Sequence, residues 1–131
     1  MNSETSAEHY EIVVPADKHK ERIDKFLSHQ LPDISRSQVK HLIDEGHKNI
    51  GHITGNPLHS SAQLRLMGFY ETMASHGLAV KKDWVVKGDY RYEGALKACK
   101  EFFVRAKELP TAIFAGSDLI GAIFIQVARE K

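Results

Sequence analysis

The chain has 131 residues, 42% hydrophobic and 27% charged, with a formal net charge of +1; that is one domain's length, enough to bury a core and too short for two full domains. No apolar run approaches the roughly 20 residues that span a bilayer, and the single cysteine, Cys99, excludes an intrachain disulfide and a Cys-rich metal site. The charge is unevenly spread: residues 1–47 hold six Lys and Arg against nine acids, a net of −3, and residues 48–131 hold the remaining twelve against eight, a net of +4.

Met1–Glu8 is polar and carries neither the basic start nor the apolar stretch of a secretory signal, which predicts a cytoplasmic chain opening on a disordered tail over residues 1–9. Tyr10, Ile12 and Val14 alternate ahead of Pro15 and predict a short strand at a sheet edge. Over Lys20–Leu31 the apolar residues Ile23, Phe26, Leu27 and Leu31 recur at helical steps, and Pro32 is expected to stop that helix. Ser35 then reads as the N-cap of a second helix, with Val39, Leu42 and Ile43 as its stripe and Gly46 as its end. A strand and a tight helix hairpin are therefore expected here.

Beyond Gly46 the pattern alternates strand and helix. Asn49–Thr54 reads as a strand, Gly55-Asn56-Pro57 as a loop, and Ser60–His76 as a helix that buries Ala62, Leu66, Phe69 and Met73 and ends at Gly77. Trp84–Lys87 makes a brief second strand before a Gly88-Asp89 turn. Arg91–Glu108 is a long helix with Tyr92, Ala95, Leu96, Cys99, Phe103 and Ala106 at helical intervals, broken by Pro110. Thr111–Ala115 is a third strand, and Ser117 or Asp118 caps a last helix. The order βαβαβα implies a parallel sheet covered by helices through right-handed crossovers.

Three stretches in the first third, Arg22-Ile23-Asp24-Lys25-Phe26-Leu27, Leu31-Pro32-Asp33-Ile34-Ser35-Arg36-Ser37 and Leu42-Ile43-Asp44-Glu45-Gly46-His47, resemble the alpha-L RNA-binding module of large pseudouridine synthases over residues 10–47. The resemblance places Arg36 and Lys40 at RNA-facing positions. The family's following V-x-V-N-G strand and its catalytic domain with an essential aspartate are missing, and a net charge of −3 opposes phosphate binding, so Arg36 and Lys40 are expected to be solvated charges.

From Gly46-His47-Lys48-Asn49-Ile50-Gly51-His52-Ile53-Thr54-Gly55 onward, with Arg65-Leu66-Met67-Gly68-Phe69, Gly88-Asp89-Tyr90 and Phe114-Ala115-Gly116-Ser117-Asp118 as further landmarks, the chain resembles the effector-sensing domain of lactose-repressor-type transcription regulators, which share the periplasmic sugar-binding fold. In that family two lobes close on a sugar or purine. The resemblance assigns Arg65 to the ligand's polar groups, Tyr90 to packing on the ligand, and Ser117 with Asp118 to the polar pair at the third strand's end. A guanidinium fork suits ligand oxygens, an aromatic face suits a sugar ring, and strand C-termini line the crevice of such sheets. One open wall predicts weak binding at most.

The two resemblances meet in Leu42–His47, which serves both, and imply a join near residue 47. The last helix departs from the sensor pattern, with Gly121-Ala122 followed by Ile123, Phe124 and Ile125, and this apolar bulk is expected to meet the N-terminal strand or hairpin. Elsewhere the chemistry is sparse. The eight histidines show no metal-ligand spacing and are expected at surface or cap positions, Gly51 and Gly55 lack the Gly-Lys-Ser/Thr of a phosphate loop, and Cys99 reads as a small buried hydrophobe. Asp89 and Asp118 have no adjacent base or nucleophile, so no enzyme activity is expected.

The expected fold is a single three-layer α/β domain over residues 10–131, built from fragments 10–47 and 48–131. Its mostly parallel four-stranded sheet runs in the order 84–87, 49–54, 111–116, 10–14, a half periplasmic-binding-protein lobe completed by the N-terminal strand and hairpin. The leading functional expectation is an engineered or recombined composite scaffold. Its alternatives are a sensor fragment binding a sugar or purine, and an RNA-binding accessory. No cofactor, metal or membrane partner is expected; RNA is disfavoured, and self-association would be a homodimer through exposed apolar surface.

Overall fold

The computed structural model describes the backbone of residues 11–13 and 24–131 and the side chains from residue 33 onward. The tail expected over residues 1–9 lies outside the described residues. The elements follow as β1 (Glu11–Val13), α1 (Asp24–Asp44), β2 (Ile50–Ile53), α2 (Ser60–Ser75), β3 (Val85–Val86), α3 (Tyr92–Arg105), β4 (Ala112–Ala115) and α4 (Asp118–Arg129), with a 3-10 turn at Lys82–Trp84 leading into β3.

The four strands form one parallel sheet in the order β1-β4-β2-β3. The strand order expected from the sequence is the one found, including the N-terminal strand beside β4, where Ile12 pairs with Ile113. Every residue of β2 and β4 is buried, as in a parallel sheet covered on both faces. Alternation divides the strands between two cores. Ile50, Ala112 and Phe114 face Val39 and Leu42 of α1 and Phe69 and Met73 of α2. Ile53, Ile113 and Ala115 face Ala95, Ala98, Cys99 and Phe102 of α3 and Ile120, Ile123, Phe124 and Val127 of α4. Two helices therefore cover each face.

One expectation needs correction, and another falls partly outside the described residues. The first is the hairpin. Residues 24–44 form one helix that passes through Pro32, and Ser35 lies in its interior, 1% exposed, so it caps nothing. A proline removes one backbone hydrogen bond and crowds the carbonyl four residues before it, but the following turns are held by packing. Ser35, Val39 and Leu42, at helical spacing, are all buried. The helix end is as expected: Gly46 adopts φ +104, and its N–H and that of His47 bond the carbonyls of Ile43 and Leu42 at 2.9 and 3.1 Å.

The second concerns the bulk in α4. Ile123 and Phe124 pack against α3, on the face opposite α1, with the Phe124 ring 5.5 Å from Phe102 and 5.2 Å from Phe103. Ile125 points outward, 39% exposed. The apolar residues of α4 complete a helix pair with α3; the expected meeting with the N-terminal strand or hairpin involves side chains outside the described residues. Among the described residues no helix is long and apolar enough to cross a membrane.

Candidate functional site

In a parallel sheet all strands end on one side, and the loops that follow β2, β3 and β4 bring their residues to a common rim. After β2, Thr54 is buried and its hydroxyl donates to the Gly55 carbonyl at 2.7 Å while accepting from the Gly88 N–H at 3.3 Å, which ties the loops after β2 and β3 together. After β3, Asp89 accepts from the Tyr90 N–H at 2.7 Å, so its carboxylate fixes the turn that presents Tyr90.

The resemblance paired Arg65 with Tyr90 only by function. The fold brings them into contact: Arg65 Nη1 donates to Tyr90 Oη at 2.9 Å. Ser61 Oγ lies 3.0 Å from the same oxygen. Ser61 and Arg65 are one helical turn apart on α2, so both reach it from one helix face. Arg65 is buried, and that burial pulls its guanidinium below the ordinary arginine value, partly opposed by Tyr90; it remains a cation with its fork of donors. The Tyr90 ring lies directly on Gly55, where an added Cβ would overlap it, and stacks against His59 with centroids 5.6 Å apart.

At the end of the neighbouring strand, Ser117 is the N-cap of α4, its Oγ accepting from the Ile120 N–H at 3.2 Å. Asp118 is half-buried in the first helical turn, where its charge complements the helix N-terminus. The structure thus joins Arg65 and Tyr90 directly and puts Ser117 and Asp118 on the adjoining strand end. His59 and Ser61 are additions. The spacing of Ser61 and Arg65 on one predicted helix carried a signal for Ser61; nothing in the sequence pattern marked His59.

Nothing in the structure supports the RNA-facing assignment of Arg36 and Lys40. Arg36 donates to Glu71 of α2 through Nε at 3.0 Å and also bonds Asp33, while Lys40 is paired with Asp44 at 2.8 Å. Among the described residues both cations are matched by carboxylates, as expected of solvated, paired charges.

A histidine also sits where none was expected. His52 of β2 is wholly buried between the rings of Phe114 and Phe69, at 4.7 and 5.3 Å, and its Nδ1–H donates to the Phe114 carbonyl at 2.6 Å. Its Nε2 has no hydrogen-bond partner among the described residues. Burial pushes its pKa down to about 4, against the small upward pull of that bond. Cys99 is buried as expected, and burial pushes its thiol up to about 12. Among the described residues no three His, Cys, Asp or Glu side chains gather into a metal-binding group.

The profile of one family, periplasmic binding proteins and the sugar binding domain of the LacI family, matches residues 19–131. It passes through residue 47 without a break, so the expected join there, and the pseudouridine-synthase module before it, find no support. The HTH-type transcriptional repressor PurR of Photobacterium profundum is 37% identical over 92 residues, covering 70% of this chain and 27% of that protein. A LacI family transcriptional regulator from Mycobacterium smegmatis aligns at TM-score 0.67 and 29% identity, over 76% of this chain and 36% of that one. The transcriptional regulator CelR, solved as a cellobiose complex, aligns at TM-score 0.70 and 24% identity, over 94% of this chain and 33% of that one. The chain therefore spans between 27% and 36% of the length of these relatives. With the fold, the rim of strand ends and a sequence match over most of its length in agreement, the chain belongs to the family of periplasmic binding proteins and LacI-type sugar-binding domains.

Proposed function

We propose that the chain is part of the effector-sensing domain of a LacI-type transcription regulator and that its rim of strand ends binds a small polar ring compound, a sugar or a purine. The observation that carries this reading is the convergence of Arg65 and Ser61 on one oxygen position beside an aromatic ring. A buried guanidinium fork supplies directional donors to a ligand oxygen, an aromatic ring supplies a flat apolar wall, and Ser117 with Asp118 supplies polar groups on the adjoining strand. The cellobiose complex of CelR, a protein of the same fold, supports a sugar. The role is binding, with no residue assigned to catalysis. Residues 10–131 act in this reading as one folding unit, and exposed apolar side chains such as Val104 and Ile125 offer surface for self-association.

The test is a thermal-shift screen of the chain with sugars and purines at millimolar concentration. A ligand that raises the melting temperature of the wild type and fails to do so in Arg65→Ala is the expected result. No shift with any sugar or purine would end the proposal.

A further inference from the structure

The residue proposed to hold the ligand is closed off from it. Arg65 is 4% exposed, although it stands at the rim where ligand would arrive. The Tyr90 phenol lies against its guanidinium, accepting from Nη1 at 2.9 Å, and the same phenol oxygen is 3.0 Å from Ser61 Oγ. The ring can reach that seat because residue 55 is a glycine: a Cβ there would overlap the Cζ, Cε1 and Cε2 atoms of the ring. His59 stacks on the ring at an interplanar angle of 25°. Gly55, His59, Ser61 and Arg65 all hold Tyr90 in its inward position.

We propose that Tyr90 is a gate whose phenol oxygen stands in for the ligand's, so that binding requires the ring to leave Gly55 and a ligand oxygen to take its place on Arg65 and Ser61. The inference rests on the sensor reading given above and adds to it the chemistry of the seat. The phenol position suits a neutral oxygen that accepts from a guanidinium and shares a hydrogen bond with a hydroxyl. A sugar hydroxyl and a purine carbonyl both meet that description. The released ring is then free to cover the ligand, which gives one side chain both the closed and the bound role. Apparent affinity is lowered by the fraction of molecules in which the gate is shut.

The gate is tested on the full chain by arginine modification with phenylglyoxal, read residue by residue by mass spectrometry, with the exposed Arg91 and Arg129 as internal references. Arg65 is expected to react roughly tenfold or more slowly than Arg91 in the wild type, in proportion to the closed fraction. Tyr90→Ala, which removes the gate, and Gly55→Ala, which pushes the ring off its seat, should both bring Arg65 close to the reference rate. Equal rates for Arg65 and Arg91 in the wild type would overturn the occlusion. Should Gly55→Ala fail to fold, Tyr90→Ala carries this arm. A second arm measures glucose, cellobiose and hypoxanthine by calorimetry. Tyr90→Phe keeps the ring and deletes the oxygen, so it should bind the recognised probe about tenfold more tightly, the worth of one hydrogen bond to a charged group. Weaker binding by Tyr90→Phe would make the phenol a ligand contact and overturn the gate. If no probe binds any of these proteins while Arg65 is protected and then released by substitution, the sensor reading falls and the occlusion stands.

Discussion

Acid should unfold this protein through His52. The imidazole is fully buried between Phe69 and Phe114, its Nδ1–H committed to the Phe114 carbonyl. Protonation would place a charge and a second N–H among phenyl rings with no acceptor for it at Nε2 among the described residues. The folded-state pKa is therefore depressed, from 6.5 to about 4. The unfolded chain binds the proton first on acidification, so stability falls as pH drops through this window and is regained as it rises. At one pKa unit per ~1.4 kcal/mol, the loss at pH 4 relative to pH 7.5 is about 3 kcal/mol, a large share of the ~5–15 kcal/mol available to a typical domain. Other groups titrate in the same range, so the assay is a comparison. Urea unfolding followed by the fluorescence of the buried Trp84 is run at pH 7.5 and pH 4 for the wild type and for His52→Leu. The wild type should lose about 3 kcal/mol more than the variant, which at ~1–3 kcal/mol/M in urea separates the midpoints by about 1–3 M. Parallel losses in the two proteins would refute the account, and His52→Val serves if leucine does not fit between the rings.

Four further outcomes follow from the packing and the paired charges. Phe124→Ala removes a ring seated against Phe102 and Phe103 and should cost about 3–5 kcal/mol in a denaturant titration, whereas Ile125→Ser, one residue on and facing out, should stay within ~0.5 kcal/mol. Ser117→Ala loses the cap of α4 and should cost about 1 kcal/mol in the same titration run without ligand. Cys99, buried with its thiol raised to about 12, should resist a thiol reagent at pH 8 until urea unfolds the chain; rapid reaction of the native protein would contradict its burial. The wild type and the double variant Arg36→Ala with Lys40→Ala should be alike in failing to retain structured RNA on a filter at 100 mM salt.

The sheet was legible because it rests on local rules that tertiary packing reinforces. Each strand from residue 49 onward is a short apolar run bounded by Gly, Asn or Pro, each helix repeats its apolar residues at three and four, and the parallel order follows from the alternation of the two. Pro32 is the counterexample. Its local effect argues for a helix end, yet a helix whose later turns bury Ser35, Val39 and Leu42 against a neighbour tolerates one missing hydrogen bond. Splitting the segment at Pro32 is also what makes it resemble a hairpin module and suggests a join. The site divides in the same way. Arg65, Tyr90, Ser117 and Asp118 were assigned by the family resemblance alone, within the stretches Arg65–Phe69, Gly88–Tyr90 and Phe114–Asp118. What pattern could not carry is that the first two touch, since the separation between residues 65 and 90 is set by how far the loops after β2 and β3 close on each other, and that closure depends on Gly55 admitting a ring. His52 was missed although its strand was expected to be central and covered, because histidines were assigned to surface or cap positions by residue type; β2 is covered by helices on both sides. In such a strand no face is left for a polar side chain to reach water, so every polar residue in it becomes a buried group with a partner to find or a proton to lose.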